Sequence, residues 1–226
     1  MKIAVVTASI GSISPVSFKK KFENADYYSF TDLPSSSDSY WQNKKVINFT
    51  CENNFVNRRN AKIYKVLTHF FLPNYDYYIW LDSTHALNQD PNELIESYLN
   101  TKDIALFKHS KRNCIYEEGI EIIRKKQDVV SKVERQMEFY KSKKYPSNNG
   151  LYELSAFIKK NNSKVNSAML SWWEQICMYS SRDQLSFPYV LKLHGIKPAI
   201  LKGKARGRLS NRYLPQIKNW SHDRTI

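Results

Sequence analysis

The apolar run Tyr77-Tyr78-Ile79-Trp80-Leu81 closes on Asp82 within Asp82-Ser83-Thr84-His85. A run this apolar reads as a strand buried on both faces, and a carboxylate at its carboxyl end stands where open α/β sheets hold their ligands. Upstream, Arg59, Lys62 and Lys65 recur at every third position, so a helix there gathers its cations on one face. Downstream, Arg182-Asp183-Gln184 opens another helical run. A hard oxygen on a rigid support suits a divalent ion that bridges two phosphates, and cations suit the departing phosphate charge. Together these residues suggest a metal-assisted enzyme acting on a nucleotide diphosphate-sugar.

Each of these residues also has a plainer reading. Asp82 is equally a solvated loop carboxylate, with Thr84 and His85 as polar neighbours and no second carboxylate beside it. Arg58, Arg59, Lys62 and Lys65 suit a diphosphate, and they also suit a solvated face on a basic protein. His69 falls on the same face one turn later and reads as a packed histidine near aromatics. The macrodipole favours acids in a first helical turn, so Asp183 is either a cap or a catalytic carboxylate. His194, just before Gly195, reads as a partner of a helix C-terminus. His222, in Asn219-Trp220-Ser221-His222, stands outside any periodic element and is therefore the candidate metal-binding imidazole.

These side chains need a scaffold, and the chain has the length for one. With 226 residues and 42% hydrophobic content it is expected to form a single domain, 1–226, with a basic tail at 202–226. The tail carries Lys202, Lys204, Arg206, Arg208 and Arg212, as a solvated arm or as a flap over an anion. Thirty-five Lys and Arg against 21 Asp and Glu give +14, which favours nucleotides, nucleic acid, acidic glycans or membrane surfaces. Cys51, Cys114 and Cys177 are odd in number and form no Cys-x-x-Cys pair, so neither a disulfide framework nor a zinc site is encoded. A reducing, cytoplasmic setting is expected. Residues 3–8 read as a first buried strand and not as a signal peptide. No segment reaches the ~20 apolar residues that span a bilayer, although a peripheral membrane contact is compatible with the charge.

Further strands are expected at 27–31 (ending on Asp32), 44–49, 103–108, 151–159 and 196–201. Helices are expected at 58–71, from Asp90-Pro91, within 116–140, and at 163–179 and 183–193. In the helix at 58–71 the apolar face is Ala61, Tyr64, Val66, Leu67 and Phe70. Asp90 is a natural cap with Pro91 as the first helical residue. In the long polar stretch the apolar positions are Ile120, Ile123, Val130, Val133 and Met137. The alternation predicts an α/β fold with a single Rossmann-like, mostly parallel sheet and helices on both faces.

Four ordered motifs carry a resemblance across roughly residues 45–200. They are Arg59-Asn60-Ala61-Lys62-x-x-Lys65, Tyr78-Ile79-Trp80-Leu81-Asp82, Lys108-His109-Ser110-Lys111-Arg112-Asn113-Cys114-Ile115-Tyr116-Glu117-Glu118, and Arg182-Asp183-Gln184-Leu185-Ser186-Phe187. The chain resembles the glycosyltransferase-like domain family of plant TOD and MUCI proteins. More distantly its layout is similar to glycogenin and the bacterial galactosyltransferases of the GT-A fold. The resemblance implies transfer of a sugar from a nucleotide diphosphate donor, such as a UDP-sugar, to a glycan hydroxyl, with a retaining outcome. It implies that Asp82 and His222 hold Mn²⁺ or Mg²⁺ and that Asp183 and Gln184 lie beside the anomeric carbon. Thr7 and Ala8 then meet the base with Asp32 nearby, and Arg59, Lys62 and Lys65 meet the diphosphate. His109, Arg112 and Glu117 are placed at the acceptor or donor sugar. The chain departs from the Asp-x-Asp pattern at Thr84, and Lys111 stands where relatives often carry His. The competing expectation is a non-catalytic nucleic-acid or glycan binder, motivated by the charge and by Tyr27, Tyr28, Tyr77 and Tyr78, which fall mainly within buried-strand patterns.

Overall fold

All seven residues of Ile3–Ser9 are buried, because this strand presents apolar side chains to helices on one face and to a second core on the other. The structure is a computed structural model that describes residues 1–11, 21–33, 39–49, 55–203 and 210–212. In chain order its elements are β1 (Ile3–Ser9), β2 (Asp26–Thr31), β3 (Gln42–Lys44), α1 (Val56–Val66), α2 (Thr68–Phe71), β4 (Tyr77–Leu81) and β5 (His85–Leu87). There follow α3 (Pro91–Tyr98), β6 (Ile104–Lys108), α4 (Ile115–Arg124), α5 (Val130–Ser142), β7 (Tyr152–Lys160), α6 (Ser163–Met178), α7 (Asp183–Leu193), β8 (Ala199–Ile200) and β9 (Ser210–Arg212).

Seven strands form one sheet in the order β3-β2-β1-β4-β7-β6-β8. All run parallel except β7, which is antiparallel to both β4 and β6. This is the mixed α/β, mostly parallel sheet that the alternation predicts. On one face Val6, Tyr78, Trp80, Leu106 and Phe157 pack against α1, α6 and α7 through Tyr64, Trp172 and Phe187. On the other, Val5, Ile79, Leu81 and Phe107 meet Leu94 and Ile95 of α3. A third cluster joins α4 and α5 to Leu151 and to Leu185 of α7. No described helix is long and apolar enough to cross a membrane, and Cys114 and Cys177 are free thiols.

Several expected elements differ from those observed. The strand expected at 44–49 is instead Gln42–Lys44, which pairs with Tyr28–Phe30. Beyond it the backbone turns to side chains of α1, for Ile47 N–H donates to the Tyr64 hydroxyl (2.6 Å) and Phe49 N–H to Asn60 Oδ1 (2.8 Å). The single helix expected at 58–71 breaks at Leu67. There Thr68 Oγ1 donates to the Tyr64 and Lys65 carbonyls, while buried Lys159 Nζ donates to the Val66 carbonyl at 2.6 Å. Side chains thus take the carbonyls that a continuing helix would use. The break rotates Phe70 outward, 62% exposed, against the expectation of an apolar face. The stretch 116–140 divides into α4 and α5, and Ile120 lies on the outer face at 68% exposed. The antiparallel pair of β5 and β9 was not expected, and β9 arises within the basic tail.

Asp90 caps α3 as expected, Oδ1 accepting from Asn92 N–H (2.8 Å) and Glu93 N–H (3.3 Å), and its carboxylate also receives Asn24 Nδ2. Removing such a cap costs about 1 kcal/mol. Asp90→Ala is therefore expected to lower Tm by about 2 to 4 °C in a chain of this size, with Asp90→Asn losing less, as read by calorimetry.

Candidate active site

The C-terminal ends of β4 and β6 and the N-terminal end of β7 meet at one edge of the sheet, because β7 runs the other way. Asp82 N–H donates to the Ser155 carbonyl (2.8 Å) and His109 N–H to that of Leu151 (2.8 Å), which ties both strand ends to β7. Above them lies an open cavity of about 370 Å³, walled by α1 and by the first turn of α7. Its lining includes Lys62, Lys65, Asp82, Asp183 and Gln184, so three of the four sequence motifs converge here, and His109 and Arg112 bring in the fourth.

Asp183 is the electrostatic centre of this wall. One turn of α1 separates Lys62 from Lys65, and both Nζ atoms reach Asp183 Oδ2 at 2.6 Å. The Asp183 side chain is only 7% exposed. Burial by itself would raise its carboxyl, but the charges of Lys62 and Lys65 and their hydrogen bonds outweigh this and hold it well below the usual carboxylate range. The cost of burial falls instead on Lys62, pushed down to about 8 by desolvation against the pull of Asp183. Lys65 also lies 3.9 Å from Asp82 Oδ1 and over the Trp80 ring, at 5.5 Å from its centroid. Asp183 is the acidic residue of the first turn of α7, whose N-cap is Arg182, and its carboxylate is hydrogen-bonded to Lys62 and Lys65. Its carbonyl accepts from Trp172 Nε1 and Ser186 Oγ, both at 3.1 Å.

The opposite wall rests on Glu118. This buried carboxylate accepts from Arg112 Nε through Oε2 and from Gln184 Nε2 through Oε1, and Arg182 donates to Gln184 Oε1 at 3.1 Å. Gln184 is thereby fixed in orientation at the cavity. His109 Nδ1 accepts from Arg112 N–H at 3.0 Å, so the neutral ring carries its proton on Nε2, which faces Glu118 Oε2 at 4.0 Å. Burial pushes His109 below its ordinary value, opposed by Glu118. The segment that leads into α7 is locked in turn, since Asp128 Oδ2 accepts from Ser180 Oγ and from the Ser181 N–H and hydroxyl.

Glu117, the carboxylate expected at a sugar, is exposed and does not line the cavity; Glu118 takes that place. The signal was in the helical period, because Ile115, Glu118, Gly119 and Ile122 form the buried stripe of α4. Arg59 is also corrected. It is buried and its guanidinium donates to the Ile176 and Tyr179 carbonyls at the end of α6, so it caps a helix instead of facing a phosphate. Thr7 and Ala8 are buried within β1. Asp32 takes the Gly11 N–H on both oxygens (2.9 and 3.0 Å), joining the ends of β1 and β2. Gly11 has φ 64°, a left-handed conformation that favours glycine at this turn. His69 is packed, lowered to about 4 by burial, and His194 closes α7 with Nε2 2.9 Å from Ser171 Oγ.

For a metal, Asp82 is the open carboxylate: its Oδ1 accepts from Trp80 Nε1 (2.8 Å) while the side chain is 43% exposed at the cavity. No group of three or more His, Cys, Asp or Glu that would cage an ion occurs among the described residues, and His222 lies outside them. Asp82 fits the one-carboxylate role that Mg²⁺ and related ions adopt when substrate phosphates and water complete their shell.

The TOD1/MUCI70 glycosyltransferase-like domain family matches residues 36–202. Over 144 residues the chain is 29% identical to the probable hexosyltransferase MUCI70 of Arabidopsis thaliana, covering 59% of this chain and 25% of that protein. The chain thus matches about a quarter of that relative's length. The crystal structure of mouse xyloside xylosyltransferase 1 in its apo form superposes with a TM-score of 0.51 at 10% identity, over 89% of this chain and 85% of that one, a likeness of fold. The sheet is of the GT-A type, and with three quarters of its length matched the chain belongs to the TOD1/MUCI70 family of glycosyltransferase-like domains.

Proposed function

We propose that this domain transfers a sugar from a nucleotide diphosphate donor, a UDP-sugar, to a hydroxyl of a glycan, with retention at the anomeric carbon. The observation that carries the reading is the pair of lysines held on one buried carboxylate at the C-terminal edge of the sheet, beside Asp82. Transfer breaks the bond from the anomeric carbon to the diphosphate and forms one to the acceptor oxygen, whose proton leaves with the diphosphate. Lys62 and Lys65 are preorganised to offset the charge that builds on the departing phosphate, because Asp183 has fixed them before the donor arrives. Gln184, oriented by Glu118 and Arg182, faces the sugar, and His109 and Arg112 flank it. Asp82, with His222 as the expected second ligand, would hold a divalent Mn²⁺ or Mg²⁺, which when bound supplies further neutralisation of the diphosphate. A reducing, cytoplasmic setting is part of the same proposal.

The nucleic-acid reading has less support. Tyr27 and Tyr78 are buried and Tyr28 is half-buried against Tyr75, so these rings build core and do not form a stacking platform.

UDP with Mn²⁺ tests the reading by thermal shift. At a hundred times its dissociation constant a ligand adds roughly 2.7 kcal/mol, or about 5 to 10 °C here. Asp82→Ala should fold, losing the hydrogen bond from Trp80 Nε1, and lose most of this shift and its turnover. No shift from UDP, together with a salt-resistant shift from DNA, would overturn the proposal.

Asp183→Asn keeps the shape but removes the charge that two ammonium groups share. We expect turnover to fall on the order of 10²-fold or more, together with a lower Tm. Gln184→Ala should lose rate with little change in Tm. Normal kinetics for Asp183→Asn would take the lysine pair out of the mechanism.

Lys62 also predicts a pH profile. Below about 8 its ammonium is present, and above that value the free cavity loses a cation, so kcat/KM should fall as pH rises through about 8. Lys62→Arg stays protonated far beyond this range and should flatten that limb. A wild-type profile without the decline would exclude Lys62 as the titrating group.

A further inference from the structure

Lys159 is buried, 1% exposed, at a core position where an apolar side chain is the ordinary choice. It lies near the end of β7, two residues after Phe157, so both side chains stand on the face of the sheet that packs against α1. Opposite them on β4 are Tyr78, the partner of Lys159, and Trp80, the partner of Phe157. The β4–β7 ladder thus presents two successive rows to α1, one aromatic and one that carries an amine.

Both rows meet the same residue of α1. The Lys65 ammonium lies over the aromatic row, 5.5 Å from the Trp80 centroid and 5.8 Å from that of Phe157. Its main chain meets the second row, where Lys159 Nζ reaches the Lys65 carbonyl at 3.4 Å and donates to that of Val66 at 2.6 Å. The last carbonyls of a helix need partners from outside its own ladder. Ile63 is served by the Leu67 N–H, and Tyr64 and Lys65 by the Thr68 hydroxyl, all from the chain that leads out of α1. Those bonds travel with the turn. The bonds from Lys159 come from the sheet, so they fix the turn relative to the strand end that bears Asp82.

We infer that Lys159 is a positioning residue for the donor diphosphate, acting through Lys65. The inference rests on the transferase reading above and adds a residue that does not line the cavity. Lys65 sits on the final turn of α1, and its Nζ must reach 2.6 Å from Asp183, on another helix, while staying 3.9 Å from Asp82. A misplacement of about 1 Å in such a group can cost on the order of 10²-fold. The tie needs an N–H at the Val66 carbonyl, which the amine provides with or without its extra proton.

Calorimetric binding of UDP with Mn²⁺ to wild type, K159M, K65M and K159M/K65M tests this, with D90A as a control that lowers Tm away from the site. Methionine has about the length of the side chain it replaces and lacks the donor. K159M should therefore fold and bind UDP roughly tenfold more weakly. K65M should lose roughly ten- to hundredfold, since a charged contact to phosphate is removed. Adding K159M to K65M should cost no more than about twofold further, because a residue that acts through Lys65 then has nothing to position. D90A should bind UDP as wild type does. If K159M does not fold, K159Q takes its place in the same cycle with the same expected coupling. Wild-type affinity in the Lys159 variant, losses that simply add in the double variant, or an equal loss in D90A would overturn the inference and leave the transferase reading standing. Wild-type protein that fails to bind UDP would overturn both.

Discussion

The site depends on a buried charge arrangement in which two ammonium groups share one carboxylate oxygen. Removing Lys62, Lys65 and Asp183 from water is costly, and their attraction recovers that cost only with close geometry. Three elements supply it. The 3.6-residue period of α1 places the lysines one turn apart, the lock on Asp128 fixes the approach to α7, and β4 and β7 close the floor with Trp80 and Phe157. The cluster carries a net positive charge, which suits a doubly anionic ligand that arrives later. Asp82 sits next to it at the end of β4 and stays open to the cavity.

The same logic accounts for the other buried cations. Arg59 and Lys159 hold the carbonyl ends of α6 and α1. Burial lowers Lys159 to about 7, and its Nζ donates to the Val66 carbonyl. A high formal charge is therefore partly internal. Some of the lysines and arginines counted in +14 set helix ends and are not displayed to partners.

This explains what was legible in the sequence. Periodicity and apolar runs identify β1, β4 and β6 well, because burial on both faces leaves a strong pattern, and they place helical segments without the break at Leu67 or the division into α4 and α5. They also bring Lys62, Lys65, Asp82 and Asp183 under suspicion, since cations at helical spacing and acids at element ends are local features. What local pattern does not reveal is which partner each finds. Arg59 shares the lysines' face by spacing, yet α6 offers it carbonyls. Glu117 and Glu118 differ by one position, and only the apolar stripe of α4 separates the buried one from the exposed one. The break at Leu67 draws on Lys159 as well as on its neighbour Thr68, and β5 on a partner in the tail, so the distant half of each leaves no local sign.

The antiparallel course of β7 has a consequence for how such a domain diversifies. Residues between β6 and β7 leave the sheet at the rim of the cavity, form α4 and α5 around their own small core, and rejoin the sheet at that same rim. Insertions or deletions inside this excursion leave the pairing of β4, β6 and β7 in register. One half of the cavity is thus anchored to the sheet, while the other is carried on an excursion whose length can change without shifting that register.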